Sequence, residues 1–233
     1  MASAPSSEMI PTGTGPDAAG HAAGDSPGPA SAADARRQAY IAAAQRLFFT
    51  HGYGGTSMNA IAAAVGGSKT TLWNLFPSKL ALFEAVVDTV VADYGSALTV
   101  DLDSAPSVEA ALIRMGDAIM DTIMSEPITE LHRLVMGEAA RVPALGRAMF
   151  ERGPGPGMAR FAAWLAGQMA AGTLKPGDPT LAAQQFSGLC RAGVVDRHLM
   201  GMTSAGDLAE GRREVRAAAA TFLAAWGGGL KGK

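Results

Sequence analysis

Cysteine is almost absent from this chain. The single Cys190 among 233 residues excludes an internal disulfide and fits a cytosolic protein. Aromatic residues are scarce at 6%, although 48% of the chain is apolar. A core made chiefly of Ala, Leu and Met suits helices and argues against sheets. The four histidines, His21, His51, His132 and His198, are scattered, so no metal-ligand spacing is present. There is no Gly-rich phosphate loop, no His-Glu-x-x-His pair and no nucleophile elbow, so neither catalysis nor a cofactor is expected. No apolar run approaches the roughly 18 residues of a membrane span. Residues 1–33 contain no Lys or Arg and no apolar core, which argues against a secretory signal. Their Ala, Gly, Pro and Ser cannot bury enough surface to offset ordering entropy, so a disordered tail is expected there.

A net charge of −2 excludes an overall polycation, but the charge is unevenly spread. Residues 34–83 carry Arg36, Arg37, Arg46, Lys69 and Lys79 against Asp34 alone, while residues 84–233 are acidic on balance. A basic module beside an acidic remainder fits nucleic-acid binding at one end.

Within that module, Thr56 to Lys79 reads as two short helices around a tight turn. Thr56 is the expected cap of the first, with Met58, Ile61 and Val65 at helical spacing. Gly66 and Gly67 stop it, Ser68 caps the second, and Pro77 ends that one. This is a helix-turn-helix pattern, whose second helix enters the DNA major groove. On a helical projection Leu72, Leu75 and Phe76 share the inner face. Thr70 and Asn74 point outward, flanked by Lys69, Thr71 and Trp73. Asn can pair with adenine, Thr with a base edge or thymine methyl, and Lys with guanine or phosphate. Taken alone, the pattern leaves a plain solvated helix face as the alternative.

Residues 37–83 resemble the N-terminal domain of TetR/AcrR-type regulators. Leu47, Phe48, Gly52 and Tyr53 match L-F-x-x-x-G-Y, and Thr56, Ser57, Ile61 and Ala62 match T-S-x-x-x-I-A. Ser68, Lys69, Thr71, Leu72, Phe76, Ser78 and Lys79 match S-K-x-T-L-Y-x-Y-F-x-S-K. Two positions depart from the family pattern. Trp73 stands where a phosphate-contacting tyrosine is usual, and its indole N–H can still donate. Leu75 replaces an aromatic or histidine. Together the residues and the resemblance give Thr56, Ser57, Lys69, Thr70, Thr71, Trp73, Asn74 and Lys79 as expected contacts to double-stranded DNA. Lys79, at a helix N-terminus, is assigned to phosphate.

Taken in order, the chain is expected to be all-α, with about nine helices. A three-helix DNA-binding domain spans 34–83 and a helical effector-binding and dimerisation domain spans 84–227, with a flexible end at 228–233. Helix 1 runs from an Asp34 cap to His51, and helix 4 from Lys79 to Leu98. TVDLDSAP (99–106) is a linker. Further helices cover about 107–124, 127–141, 143–171 (interrupted by a GPGPG break at 153–157), 179–199 and 207–226.

Residues 128–200 resemble the AefR-like ligand-binding domain of one TetR subgroup, through a Glu-Ala-x-Arg segment, a Phe-x-x-x-Gly-Pro break and a Gly-x-Leu turn before Ala-Ala-x-Gln-Phe. That resemblance implies a homodimer through the last two helices and an inducer pocket among helices 4 to 8. The expected interface residues are Leu181, Leu189, Val194, Val215, Ala218, Phe222 and Trp226. Met115, Ile119, Ile123, Leu134, Met149, Phe150, Phe161, Trp164, Met169 and Phe186 are candidates to line an apolar pocket, flexible thioethers suiting adaptable binding. His132, Arg133, Glu138, Gln168 and Gln185 are candidate polar anchors. Cys190, in an apolar run, is expected to be a packing thiol. The expected function is a repressor that binds a pseudo-palindromic operator as a homodimer and is released by a small apolar effector. A regulator switched by a protein partner, and a helical enzyme on the same scaffold, stay open at this point.

Overall fold

The computed structural model of the chain describes residues 29–228, except 203, 205 and 206. The expectations for 1–28 and 229–233 lie outside the described residues. The described residues form eleven α-helices and no strand, one isolated bridge joining Leu174 to Gly227. The helices are α1 (Pro29–Gly55), α2 (Met58–Val65), α3 (Lys69–Leu75), α4 (Lys79–Tyr94), α5 (Val108–Met124), α6 (Glu126–Glu138), α7 (Pro143–Arg152), α8 (Pro154–Ala170), α9 (Pro179–Arg191), α10 (Val194–Leu199) and α11 (Asp207–Trp226).

The starts of four of these helices are set by serine. The side chains of Ser57, Ser68, Ser78 and Ser107 each accept the backbone N–H three residues on, at α2, α3, α4 and α5. Ser57, not Thr56, is therefore the cap of α2. Thr56 is 3% exposed, and its hydroxyl lies 3.0 Å from the Leu47 carbonyl and 2.9 Å from that of Gly52. α1 begins at Pro29, so the expected Asp34 cap is already inside a helix and the expected tail is shorter at its C-terminal end. Gly52 does interrupt α1, with φ +73°.

Other boundaries shift where glycine and proline act differently from their reading as simple breaks. α4 stops at Gly95 and passes into a single 3₁₀ turn, Ser96–Leu98. The GPGPG run breaks the chain only at Gly153. Its remainder forms the first turn of α8, where proline has no intrahelical N–H to lose. The expected helix over 179–199 divides at Gly193, φ +90°, into α9 and α10. These divisions raise nine expected helices to eleven.

Two cores hold the molecule. The first joins α1–α4 to α6 and α7, with Phe48, Tyr53 and Phe83 as an aromatic trio whose ring centroids lie 5.5–6.0 Å apart. It crosses the expected domain boundary at residue 84, through Ile128, Leu131, Val135 and Leu145. The second core joins α5 and α8–α11. The 99–106 segment packs on it through Leu102, 8% exposed, and is held by Arg114, which donates to Asp101 O and Ser104 Oγ.

Cys190 is fully buried in this second core. Burial, with Asp117 nearby, pushes its thiol up to about 12. At pH 8 only roughly one thiol in ten thousand is then thiolate, the reactive form. Native protein should show no titratable thiol with Ellman's reagent over an hour at pH 8, and one equivalent after unfolding.

Candidate nucleic-acid interface and ligand cavity

α3 buries Leu72 beneath it and rests Phe76 in the first core. That anchoring turns Lys69, Thr70, Trp73 and Asn74 to the exposed side, Trp73 with 47% of its surface free. Ser57 is exposed beside them at the α2 N-terminus. Thr71 is half-buried and spends its hydroxyl on Ser68 Oγ at 2.7 Å, while its N–H donates to the same atom at 3.0 Å. The turn between α2 and α3 is fitted to glycine. A Cβ on Gly67 would run into the phenol of Tyr40, which is fully buried and donates to Ser68 O. Arg37 lies over the Phe76 ring, 5.1 Å from its centre, so it braces the second helix of the motif.

Two expected DNA contacts face inward. Thr56 is buried in the α1–α2 junction, as described. The Lys79 ammonium donates to Tyr53 O at 2.8 Å and Thr56 O at 2.9 Å and sits 4.3 Å from the centre of the Tyr53 ring. Burial lowers its pKa and the nearby Glu138 opposes that. Lys79 ties α4 to the loop that aims α2 and α3. The F-x-S-K end of the motif placed a lysine here; it could not show that two carbonyls 23 and 26 residues away end at its ammonium.

Below this head lies a partly open apolar cavity of about 120 Å³. Of the expected lining residues, Met115, Ile119, Ile123, Met149 and Phe161 line it. Leu134 is buried in the first core and Phe186 in the second, Met169 packs on the second core, and Phe150 points out with 59% of its surface exposed. Trp164 lines an adjoining, wider compartment of about 570 Å³, which shares Ala97, Met115, Gly157 and Phe161 as walls with the first. The Trp164 Nε1 is buried and has no hydrogen-bond partner among the described residues.

Among the candidate polar anchors, His132 lines the inner cavity and Gln168 the wider one. Glu138 instead accepts the Gly54 N–H at 3.0 Å, Arg133 donates to the carbonyls of His198 and Leu199, and Gln185 accepts the Trp226 indole N–H. Sequence reasoning missed Arg191, Ser187 and Thr122, which supply polar groups to the inner cavity. Arg191 ends α9 just before Gly193, a break hidden inside one long apolar pattern.

α4 and α6 connect the two sites. α4 starts at Lys79 under the reading helices and reaches the cavity wall at Val91, followed by Gly95. α6 lines the cavity with Ile128, Leu131 and His132 and ends at Glu138 on Gly54.

The expected dimer stripe is divided by the fold. Val194, Val215, Ala218 and Phe222 are at most 4% exposed and face the chain's own core. Leu181 and Leu189 are exposed, at 44% and 36%. The outer faces of α9 and α11 leave a groove lined by Gln185, Gly188, Leu189, Ala192, Thr221 and Ala225, with Trp226 at its edge.

No group of three or more His, Cys, Asp or Glu that could hold a metal occurs among the described residues, and no described helix is long and apolar enough to cross a membrane. Comparison with known proteins gives one consistent answer. Residues 41–86 match the family described as bacterial regulatory proteins, tetR family, and residues 110–228 match the AefR-like transcriptional repressor C-terminal domain. A structure described as a TetR-family transcriptional regulator from Mesorhizobium loti MAFF303099 is 31% identical, with a TM-score of 0.71 over 84% of this chain and 98% of that one. The flavonoid-responsive regulator FrrA is 30% identical, with a TM-score of 0.70 over 83% and 98%. A TetR family transcriptional regulator from Pseudomonas syringae pv. tomato str. DC3000 shares the fold at 24% identity and a TM-score of 0.66, over 83% and 98%. No curated protein matches the sequence. TetR-family regulators bind DNA and act as dimers, and this chain, with its helix-turn-helix head and AefR-like C-terminal domain, belongs to the TetR family.

Proposed function

We propose that the protein is a homodimeric repressor that holds a pseudo-palindromic operator until a small apolar effector enters the inner cavity. The observation that carries this reading is the double connection just described: α4 and α6 each touch both the cavity and the supports of the reading head. A ligand that binds one arrangement of these helices better than another shifts the spacing of the two heads. Half-sites about 34 Å apart, or a multiple of it, are then no longer met by both at once. The small-molecule response in the description of FrrA supports an effector here too.

Lys69, Thr70, Trp73 and Asn74, with Ser57, are the proposed DNA contacts, and the partner is double-stranded DNA in the cytoplasm. Fragments selected from the source genome give the operator, and titrations on it test the assignment. Asn74→Ala should lower operator affinity about tenfold, for roughly 1–3 kcal/mol of lost base discrimination. Its affinity for random duplex should stay within about twofold of the parent. Equal weakening on both duplexes would reassign Asn74 to the DNA backbone. Unchanged affinity on both would remove it from the interface.

A further inference from the structure

Resting on the effector reading above, we infer that the inner cavity selects a phenol: one apolar ring carrying one neutral hydroxyl group, held by His132 and Arg191.

The argument begins with the direction of the His132 hydrogen bonds. Its Nδ1 lies 3.0 Å from the Ile128 carbonyl, which can only accept, so Nδ1 carries the ring proton. In the neutral ring Nε2 is then a bare acceptor. Among the described residues it makes no hydrogen bond, and it is not one of the sealed, unpartnered atoms of the interior. His132 lines the cavity, so Nε2 is the atom it has to offer there. Burial favours the neutral form, the Ile128 hydrogen bond opposes that, and the Arg191 charge adds to it.

Arg191 lines the same cavity and forms no ion pair among the described residues. Of the chamber's polar side chains, Thr122 already accepts the Ala97 N–H and pairs with Ser96 Oγ, which leaves one strong acceptor, one cationic donor and the Ser187 hydroxyl. A hydroxyl group answers the first two, donating to Nε2 while its oxygen accepts from the guanidinium. A carboxylate answers only Arg191, because it has no proton for Nε2. An unsubstituted hydrocarbon answers neither. The aryl hydroxyl is favoured over an alkyl one because its O–H is the more acidic donor and its ring fills a chamber walled by Met115, Ile119 and Phe161. At about 120 Å³ the chamber is smaller than the apolar cavity of about 150 Å³ that accepts benzene, so it limits the ligand to a single ring.

Three probes of matched shape test this on the full-length protein by calorimetry and thermal shift: 4-methylphenol, toluene and 4-methylbenzoate. The phenol should bind at least tenfold tighter than toluene, and tighter than the benzoate. His132→Leu should bring phenol and toluene within about twofold of each other while toluene binding persists. His132→Gln, which keeps an acceptor, should hold part of the preference. A buried hydroxyl without a partner costs affinity, so a gain over toluene reports a made hydrogen bond. Toluene binding as tightly as the phenol overturns the inference and leaves the cavity reading standing, as does a benzoate that binds tightest. If none of the three binds, the cavity reading itself falls. The wild-type comparison needs no variant, so a misfolded His132→Leu leaves the test intact.

Discussion

Lys79→Ala should lose operator binding because the reading head loosens, and the melting temperature should report it. The ammonium satisfies two partly buried carbonyls, Tyr53 O and Thr56 O, and lies on the Tyr53 ring. Each acceptor left unmade costs about 1–3 kcal/mol. The lost cation–π contact adds roughly 0.5–1 kcal/mol. A total near 3 kcal/mol lowers Tm by roughly 10 °C in a chain of this size. Lys79→Met, which keeps the stem, should lose nearly as much. Affinity should fall for operator and random duplex alike. The slope of log affinity against log salt should stay as it was. A direct phosphate contact gives the reverse pattern: Tm unchanged and the slope smaller by about one. That reverse pattern would return Lys79 to the DNA surface.

Leu189→Arg should separate the dimer. Leu189 is exposed at the groove between α9 and α11, where a second copy would bring the same residue to the same surface. Each substitution therefore introduces two like charges into one dry contact, which costs several kcal/mol. About 4 kcal/mol weakens self-association roughly a thousandfold. Sedimentation should show monomer at micromolar concentration, with helical circular dichroism retained because the side chain is outside both cores. Operator affinity should fall with it, since one head reads one half-site. A dimer that survives the change would place the interface on another face.

The reading head was legible because its signals are local. A serine three residues before a donor, a glycine pair and a proline act within one turn of chain, and Ser68, Ser78 and Ser107 cap as their positions imply. Thr56 and Ser57 were confused because adjacent hydroxyl residues look alike until the burial of one is known. Helical spacing found Met115, Ile119, Ile123, Met149 and Phe161 on inward faces, and these do line the cavity. The same spacing also selected Leu134 and Phe186, because it reports which side faces in and not whether the inside is full. Four of the seven expected dimer residues, Val194, Val215, Ala218 and Phe222, face inward for a related reason. Val215 and Phe222 are apolar residues of α11 that fill the chain's own core. The outer face of α11 is largely alanine, which leaves little hydrophobic signal and allows close helix approach.

The three tryptophans are distributed one to each surface that matters. Trp73 is open on the helix proposed to meet DNA, Trp164 lines the compartment beside the ligand chamber, and Trp226 borders the outer groove while donating to Gln185. Each indole thus has a different polarity around it in the free protein. Operator, small molecule and second copy would each disturb a different fluorophore, so the emission of single-tryptophan variants can follow the three encounters separately, without an attached dye.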